Sequence, residues 1–445
     1  MPPSEAIAAA PGAEDAPQSR SKRARVWRSL LFIAGALGPG FITASAGNDV
    51  GGIFTYSVAG AQFGYKVIWP LIPIAVALIV VQEMAARMGA VTGKGLAALI
   101  REEFGVRIAL LTMLGLFFMN TFTTSAEFAG IASASEIYHI SRYISVPLSL
   151  ALVFLFVLRI SGKLVERVFV VLSLVYVTYI ISGVLAHPDW GEVARGSFIP
   201  SIDTHDPAYL GTIVALIGTT ISPYMQFYLQ SAVVEKGTRP SGLLLSRIDV
   251  TNGSILAIIV AAFMIIANAA TIFVFNQSHA AHPIAVNQAS DVAVALQPLA
   301  GKFASALFAF GILNAGLFTA AVLPLSTSYL VCEAFGFEAA LDRGFREAPV
   351  FFSLFAAGLV IGAILVLWPG VPLLQLGIAS QLVQGLLLPL ELVLMLIIIN
   401  RVRVMGVYRN TRTANVITWA TVVIVGAIAL YYTFTQAVAA FTPAK

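Results

Sequence analysis

The feature that most constrains this chain is the recurrence of apolar segments long enough to cross a bilayer, running from the first 50 residues to the last 30. Eleven segments of spanning length lie at approximately 29–62, 66–88, 107–135, 145–158, 168–186, 208–234, 248–275, 303–333, 349–368, 372–400 and 414–440. A transmembrane helix needs about 20 predominantly apolar residues, and within lipid the backbone can satisfy its own polar groups only as helix or closed barrel. Apolar runs of this length specify helices. The short polar links between them leave no room for a separate soluble domain. Of the 445 residues 58% are hydrophobic and 11% charged, whereas soluble domains carry about 25% charged residues. The chain therefore reads as an all-α polytopic membrane protein, one transmembrane domain over residues 25–445. Residues 1–24, rich in Ala, Pro and Ser, read as a disordered cytoplasmic tail, because no apolar core of a cleaved signal peptide precedes the basic cluster.

Charge sets the orientation. With the N-terminus in the cytoplasm and the segments alternating, 21 of the 26 Lys and Arg fall on the inner side. They include Arg20–Arg28 before span 1, Arg87–Arg107 after span 2 and Arg401–Arg412 after span 10. Only Lys66, Arg142, Arg195, Lys302 and Lys445 fall outside. Positive residues concentrate on the cytoplasmic side of membrane proteins, so the N-terminus is expected inside, the C-terminus outside, and the membrane is expected to be the plasma (inner) membrane. The same asymmetry accounts for the basic pI without nucleic acid. Cys332 is the only cysteine, which excludes an internal disulfide and a cysteine metal site. His187, His205, His279 and His282 sit in the outer loops without the close spacing of a zinc site and read as solvated residues. No obligate protein partner is indicated.

Two spans are broken. Span 1 contains "SAGNDVGG", Ser45–Gly52, and span 6 contains "TTISPYMQ", with Pro223 near its middle. An opened helix exposes carbonyls on one half and N–H groups on the other, tolerable in a bilayer only against protein or a cavity. Each break alone has a packing or kink explanation, since Gly and Pro are common in membrane helices. Breaks five spans apart, at matching places in two halves, are instead the sign of an inverted-repeat transporter that holds its substrate at the midplane. The halves are expected at about 29–186 and 208–400, with an extra helix at about 414–440. Asp49 lies in the first break, and an ionisable residue inside the membrane is by default functional.

The residues themselves resemble the NRAMP divalent-metal transporters. "GPGFITASAGNDVGGIFTYSVAGAQFGYKVIW" is similar to that family's first span, "VQEMAARMGAVTGKGLAALIREEFG" to its second span and loop, and "SQLVQGLLLPLELVLMLIIINRVRVMG" to its tenth. The resemblance implies a leucine-transporter-type 5+5 inverted repeat with broken helices 1 and 6 and eleven transmembrane helices. It implies transport of a divalent cation, no enzymatic activity and no cofactor.

The departures from the family pattern concern its metal motifs. The family's Asp-Pro-Gly-Asn falls on Asp49, Val50, Gly51 and Gly52, so the Asp remains and the Asn becomes Gly52. Its Met-Pro-His in span 6 falls on Ser222, Pro223 and Tyr224, removing the thioether and a histidine. A second histidine, associated with proton movement, falls on Gln230, beyond one residue that the family pattern lacks. Thioethers suit softer metals, whereas carboxylate, carbonyl and water suit Mg, Ca and Mn. Gly and Ser in place of larger ligands also imply a roomier site, as Mg²⁺ with its retained waters requires. The pattern resembles the NRAMP-related magnesium transporters, although Gly47 stands where that branch often carries an acid.

The resemblance assigns Asp49 as the carboxylate facing the cation, with the carbonyls of Ala46 and Thr219 adding oxygen at the two broken ends. Ser222 has two readings, a ligand hydroxyl or one bonded to its preceding turn. Gln381 in span 10 is either a ligand or an interhelical hydrogen-bonding residue. Asn48, Glu127 in span 3, Tyr224 and Gln230 are placed along the pathway or behind the site. Glu127 has the open alternative of pairing with a polar neighbour, and Gln230 cannot titrate as a histidine does. The expectation is a Mg²⁺ and Mn²⁺ transporter without obligatory proton coupling. The alternatives are a proton-coupled Mn²⁺/Fe²⁺ symporter and, less favoured because Asp49 opposes a carboxylate substrate, a sodium-coupled amino-acid symporter.

Overall fold

The computed structural model describes residues 46–159, 176–279, 281–338 and 345–441, and its regular structure there is helical throughout. The tail at 1–24, the first half of span 1 and the start of span 5 at 168–175 lie outside the described residues. Every expected segment has helix within its bounds. Span 1 continues as α1 (Val50–Phe63), followed by α2 (Leu71–Thr92), the short α3 (Leu96–Phe104), α4 (Val106–Glu136), α5 (Arg142–Arg159) and α6 (Val177–Leu185). The outer link carries α7 (Trp190–Phe198), and span 6 is split into α8 (Pro207–Thr220) and α9 (Pro223–Glu235). The remainder comprises α10 (Leu243–Asn268), α11 (Ala304–Phe335), α12 (Pro349–Leu367), α13 (Leu373–Asn400) and α14 (Arg412–Phe441). Eight stretches among the described residues are long and apolar enough to cross a membrane, counting α8 and α9 as one.

Along α4 the outward side chains are apolar and polar ones are buried within an otherwise apolar core. Leu111, Leu114 and Phe118 of α4 are exposed, whereas Asn120, Thr123, Thr124 and Glu127 of the same helix are buried. Such an arrangement is stable where the outer medium is hydrocarbon, which costs nothing to face with Leu and much to face with an amide. α4 is the pillar on which α11, α12 and α13 pack. Fully buried Phe54, Tyr56, Phe128 and Phe227 fill the space around it.

Close backbone approach brings three helices to one point. A Cβ at Gly218 of α8 would fall 2.1 Å from the Gln381 carbonyl oxygen, and one at Gly385 of α13 would fall 2.3 Å from that of Val214. Small residues permit such contact between membrane helices. On the other side of α1, a Cβ at Gly60 would lie 2.3 Å from the Ile265 carbonyl oxygen of α10. α1 is therefore held against α10 while α8 and α13 converge on its N-terminal end.

Buried Arg87 secures the opposite end of α2. Its guanidinium pairs with Glu83 at 2.9 Å and donates to the Tyr408 and Arg409 carbonyls and to Asn410 Oδ1, at 2.9, 3.0 and 2.6 Å. The link between α13 and α14 is thereby fixed to α2.

Candidate functional site

Both breaks follow from local chemistry. Ala46–Asn48 forms one 3₁₀ turn, after which Asp49 turns extended and becomes the N-cap of α1, its Oδ1 accepting the Gly52 N–H at 2.6 Å. Aspartate is a favoured N-cap because its side chain satisfies an otherwise orphan donor. In span 6, α8 stops at Thr220, Ser222 is extended and Pro223 opens α9. A residue before proline is driven out of the helical region, and proline suits a first helical position.

The breaks meet. The Thr219 hydroxyl donates to the Gly47 carbonyl at 3.2 Å, and Tyr56, nearly two turns into α1, shares a 2.8 Å hydrogen bond with Thr220. Asp49 is 2% exposed. Its Oδ1 also accepts the Gln381 amide N–H at 3.3 Å, while Oδ2 is buried and takes no hydrogen bond among the described residues. Glu127 of α4 approaches the same helix end, its Oε2 accepting the Val50 N–H at 3.4 Å, and its Oε1 is likewise buried and unpartnered. Two carboxylates thus share the N-terminal N–H groups of α1, where the helix dipole favours negative charge. The carbonyl end of α8, with its partial negative charge, faces the opened turn of span 1.

The structure brings together Asp49, Gly52, Thr219 and Gln381, with Ala46 and Asn48 in the adjoining turn and Glu127 behind. Ser222 lies at the second break, but its hydroxyl donates to the Gly218 and Thr219 carbonyls at 2.9 and 3.1 Å, the backbone-bonded one of its two readings. Tyr224 is buried in the first turn of α9. Gln230 stands apart: its amide donates to the Lys94 carbonyl at 2.8 Å, in the link after α2.

Two expectations need correction. The site is not enlarged at Gly52, because a Cβ there would sit 2.4 Å from the Gly47 carbonyl oxygen and 2.8 Å from Thr219 Oγ1. The space freed by the missing side chain is occupied by the preceding turn of span 1 and by the facing break of span 6. Nor is the thioether gone from the neighbourhood. Met225 places its Cε 3.2 Å from the position of a Cβ on Gly47, and its sulfur accepts from Gln82 Nε2 at 3.9 Å. Motif register placed no ligand at Met225, which lies two residues after Pro223 rather than one before it; the first turn of α9 carries its thioether to the first break.

Three buried amides escaped the sequence reading. Gln384 donates to Gln381 Oε1 at 2.8 Å and to Thr123 Oγ1 at 3.1 Å. Among the described residues, Gln226 has both amide atoms buried and unpartnered, and Gln82 has an unpartnered carbonyl. Spacing could have found Gln384, since positions three apart share a helix face. Among the described residues no group of three His, Cys, Asp or Glu converges on one point. The oxygens that the described residues offer here are those of carboxylate, amide, hydroxyl and backbone.

A helical membrane domain in which the start of α1 meets the break between α8 and α9 around a buried carboxylate has the architecture of a membrane transporter with a leucine-transporter-type inverted repeat. The chain belongs to the Nramp (natural resistance-associated macrophage protein-like) family, whose model matches residues 40–435. It is 26% identical to a protein of Clostridium acetobutylicum named divalent metal cation transporter MntH, over 94% of this chain and 95% of that one. It is 27% identical to the protein of the same name from Deinococcus radiodurans, over 90% of each. Among solved structures, a mutant of the Eremococcus coleocola manganese transporter matches with TM-score 0.72 at 22% identity, over 97% of this chain and 91% of that one. That transporter in complex with an aromatic bis-isothiourea substituted compound matches with TM-score 0.70 at 23% identity, over the same shares.

Proposed function

We propose that this chain carries divalent metal cations across the membrane by alternating access, with Mg²⁺ and Mn²⁺ as substrates and without obligatory proton coupling. The observation that carries the reading is Asp49 Oδ2, a carboxylate oxygen buried where the start of α1 meets the break of span 6 and left without a donor among the described residues. An unpaired buried carboxylate is costly, and a cation arriving there removes the cost. The rest of the donor set is carbonyl, amide and hydroxyl oxygen, which suits hard ions. Gln230, bonded to a backbone carbonyl, offers no titrating group on α9. The setting is the plasma (inner) membrane, with the N-terminus cytoplasmic, the C-terminus outside and eleven crossings.

One observation favours a second reading, proton-coupled Mn²⁺/Fe²⁺ symport. Met225 sets a thioether beside the first break, and thioethers select softer metals. Glu127 then takes the part of the absent histidine.

Purified protein in liposomes, loaded with a Mg²⁺ or Mn²⁺ indicator and a pH dye, separates the two. Mg²⁺ and Mn²⁺ entry without acidification of the lumen, lost in Asp49→Ala, is expected. Acidification accompanying Mn²⁺ or Fe²⁺, with no Mg²⁺ entry, establishes the second reading instead.

A further inference from the structure

We infer that Gln384 is a specificity-determining positioning residue: it pins the Gln381 carbonyl away from Asp49, so that the ion is bound without that ligand. The inference rests on the reading of Asp49 as the cation's carboxylate.

The polarity of the amide ladder is imposed from both ends. A carboxylate such as Asp49 only accepts, so the Gln381 atom 3.3 Å from its Oδ1 is the amide nitrogen. Gln381 Oε1 therefore faces the other way and must accept, and the atom that reaches it, at 2.8 Å, is Gln384 Nε2. At the far end, the Thr123 hydroxyl spends its proton on the Met119 carbonyl at 3.1 Å, leaving its lone pair for the second N–H of Gln384 at 3.1 Å. Both Gln384 donors are used, and Gln381 and Gln384 are each fully buried. Neither amide has water to turn into.

The consequence is chemical. Gln381 shows Asp49 an N–H, which repels a cation, gives its other N–H to Ser380 Oγ at 3.3 Å, and hides the oxygen that would bind a cation. To ligate directly, Gln381 must turn its amide over, breaking its bonds to Asp49, Ser380 and Gln384 together. Gln384 would be left pointing a donor at a donor. Packing adds to the barrier, because Gly51 closes on the Gln381 amide: a Cβ there would fall 1.8 Å from its Nε2. An ion that keeps part of its water shell does without the Gln381 oxygen, and Mg²⁺ dehydrates reluctantly. An ion that gives up water more readily gains most from that oxygen and loses most by the lock. Gln384 thus biases the site toward the hydrated ion.

The test is Mn²⁺ and Mg²⁺ uptake into proteoliposomes by the full chain, resolved into KM and kcat, for wild type, Gln384→Leu, Gln381→Leu, the double variant and Asp49→Ala. Gln384→Leu frees the Gln381 carbonyl and is expected to lower the KM for Mn²⁺ about 3- to 10-fold, the range that one buried hydrogen bond supplies, with a smaller fall for Mg²⁺. In the Gln381→Leu background the same substitution is expected to change neither KM by more than about 2-fold. Damage to packing would raise KM or lower kcat in both backgrounds, and either result overturns the inference. A rise in Mn²⁺ KM in Gln384→Leu alone also overturns it, because Gln384 would then be presenting Gln381 as a ligand. Gln384→Met, unbranched and close in volume, replaces Leu should that variant not be recovered folded. Asp49→Ala separates the layers: retained uptake refutes the Asp49 reading, whereas lost uptake with no Gln381–Gln384 coupling refutes this inference alone.

Discussion

Thr219 Oγ1 donates to the Gly47 carbonyl at 3.2 Å, across 172 residues, and so ties the opened middle of one broken helix to that of the other. Gly47 O belongs to the turn that opens span 1, and the bond supplies it with a donor from α8. Both groups are buried. Thr219→Val keeps the shape and removes the donor, and is expected to cost about 1 kcal/mol. Thermal unfolding in detergent measures the loss. An unchanged midpoint would mean that the two breaks are held together by packing alone.

Gly52 stands where the family motif has Asn, and restoring that Asn is expected to disrupt this conformation. A Cβ alone would lie 2.4 Å from a backbone oxygen, which no rotamer change relieves. Overpacking of this kind costs about 1–3 kcal/mol. Gly52→Ala should therefore lower the unfolding midpoint, and Gly52→Asn should lower it further. A stable Gly52→Asn variant with intact uptake would show that the facing turn of span 1 can withdraw.

The architecture was legible because breaks in membrane helices are written in single residues. Pro223 and the glycines around Asp49 interrupt otherwise continuous apolar runs, and nothing else in the chain interrupts two runs at matching places. The site was legible only in part. Asp49 announced itself as a charge in an apolar segment, and Gln381 came through motif register. The volume at Gly52 is set by Gly47 and Thr219, residues from two different breaks whose contact exists only in the folded chain. Met225 was missed for a similar reason, since register along one helix does not say which neighbour a long side chain reaches. Gln384 is the exception, one turn from Gln381 and visible in the sequence, yet its meaning depends on which way each amide points.

Glu103 on α3 gives a pH dependence with a definite sign. Burial raises the carboxyl's pKa, but hydrogen bonds from Arg403 at 2.7 Å and from Arg401 outweigh it, together with their charges, and hold it below the usual 4.5. A carboxyl with a lower pKa folded than unfolded stabilises the fold above its unfolded value, and that stability is lost as pH falls through the folded value. Glu103→Gln is expected to unfold at lower temperature than wild type at pH 7. The gap should close below about pH 4.5. A gap that stays constant down to pH 3 would assign the effect to hydrogen bonding rather than charge.

Glu391 of α13 is 5% exposed, and neither of its oxygens finds a hydrogen-bond partner among the described residues. It lines a crevice of about 60 Å³ whose other walls are Leu111, Gly115, Leu116 and Met119 of α4, Pro223 and Phe227 of α9, leucines of its own helix, and Thr112, whose hydroxyl donates to the Ile108 carbonyl at 2.9 Å. A buried polar group left unpaired costs about 1–3 kcal/mol, and replacing it with an apolar group of similar shape recovers that. Glu391→Leu is therefore expected to raise the unfolding midpoint in detergent by about 2 °C or more. Glu391→Gln is expected to give no such gain, since its amide would be as unpartnered as the acid. The contrast between the two variants is the test, because both remove the charge and only one removes the unpaired polar atoms. A gain in both would trace the cost to ionisation. A loss in Glu391→Leu would mean that the carboxyl has a partner in the membrane, through water or lipid entering the crevice beside Pro223, where α9 begins.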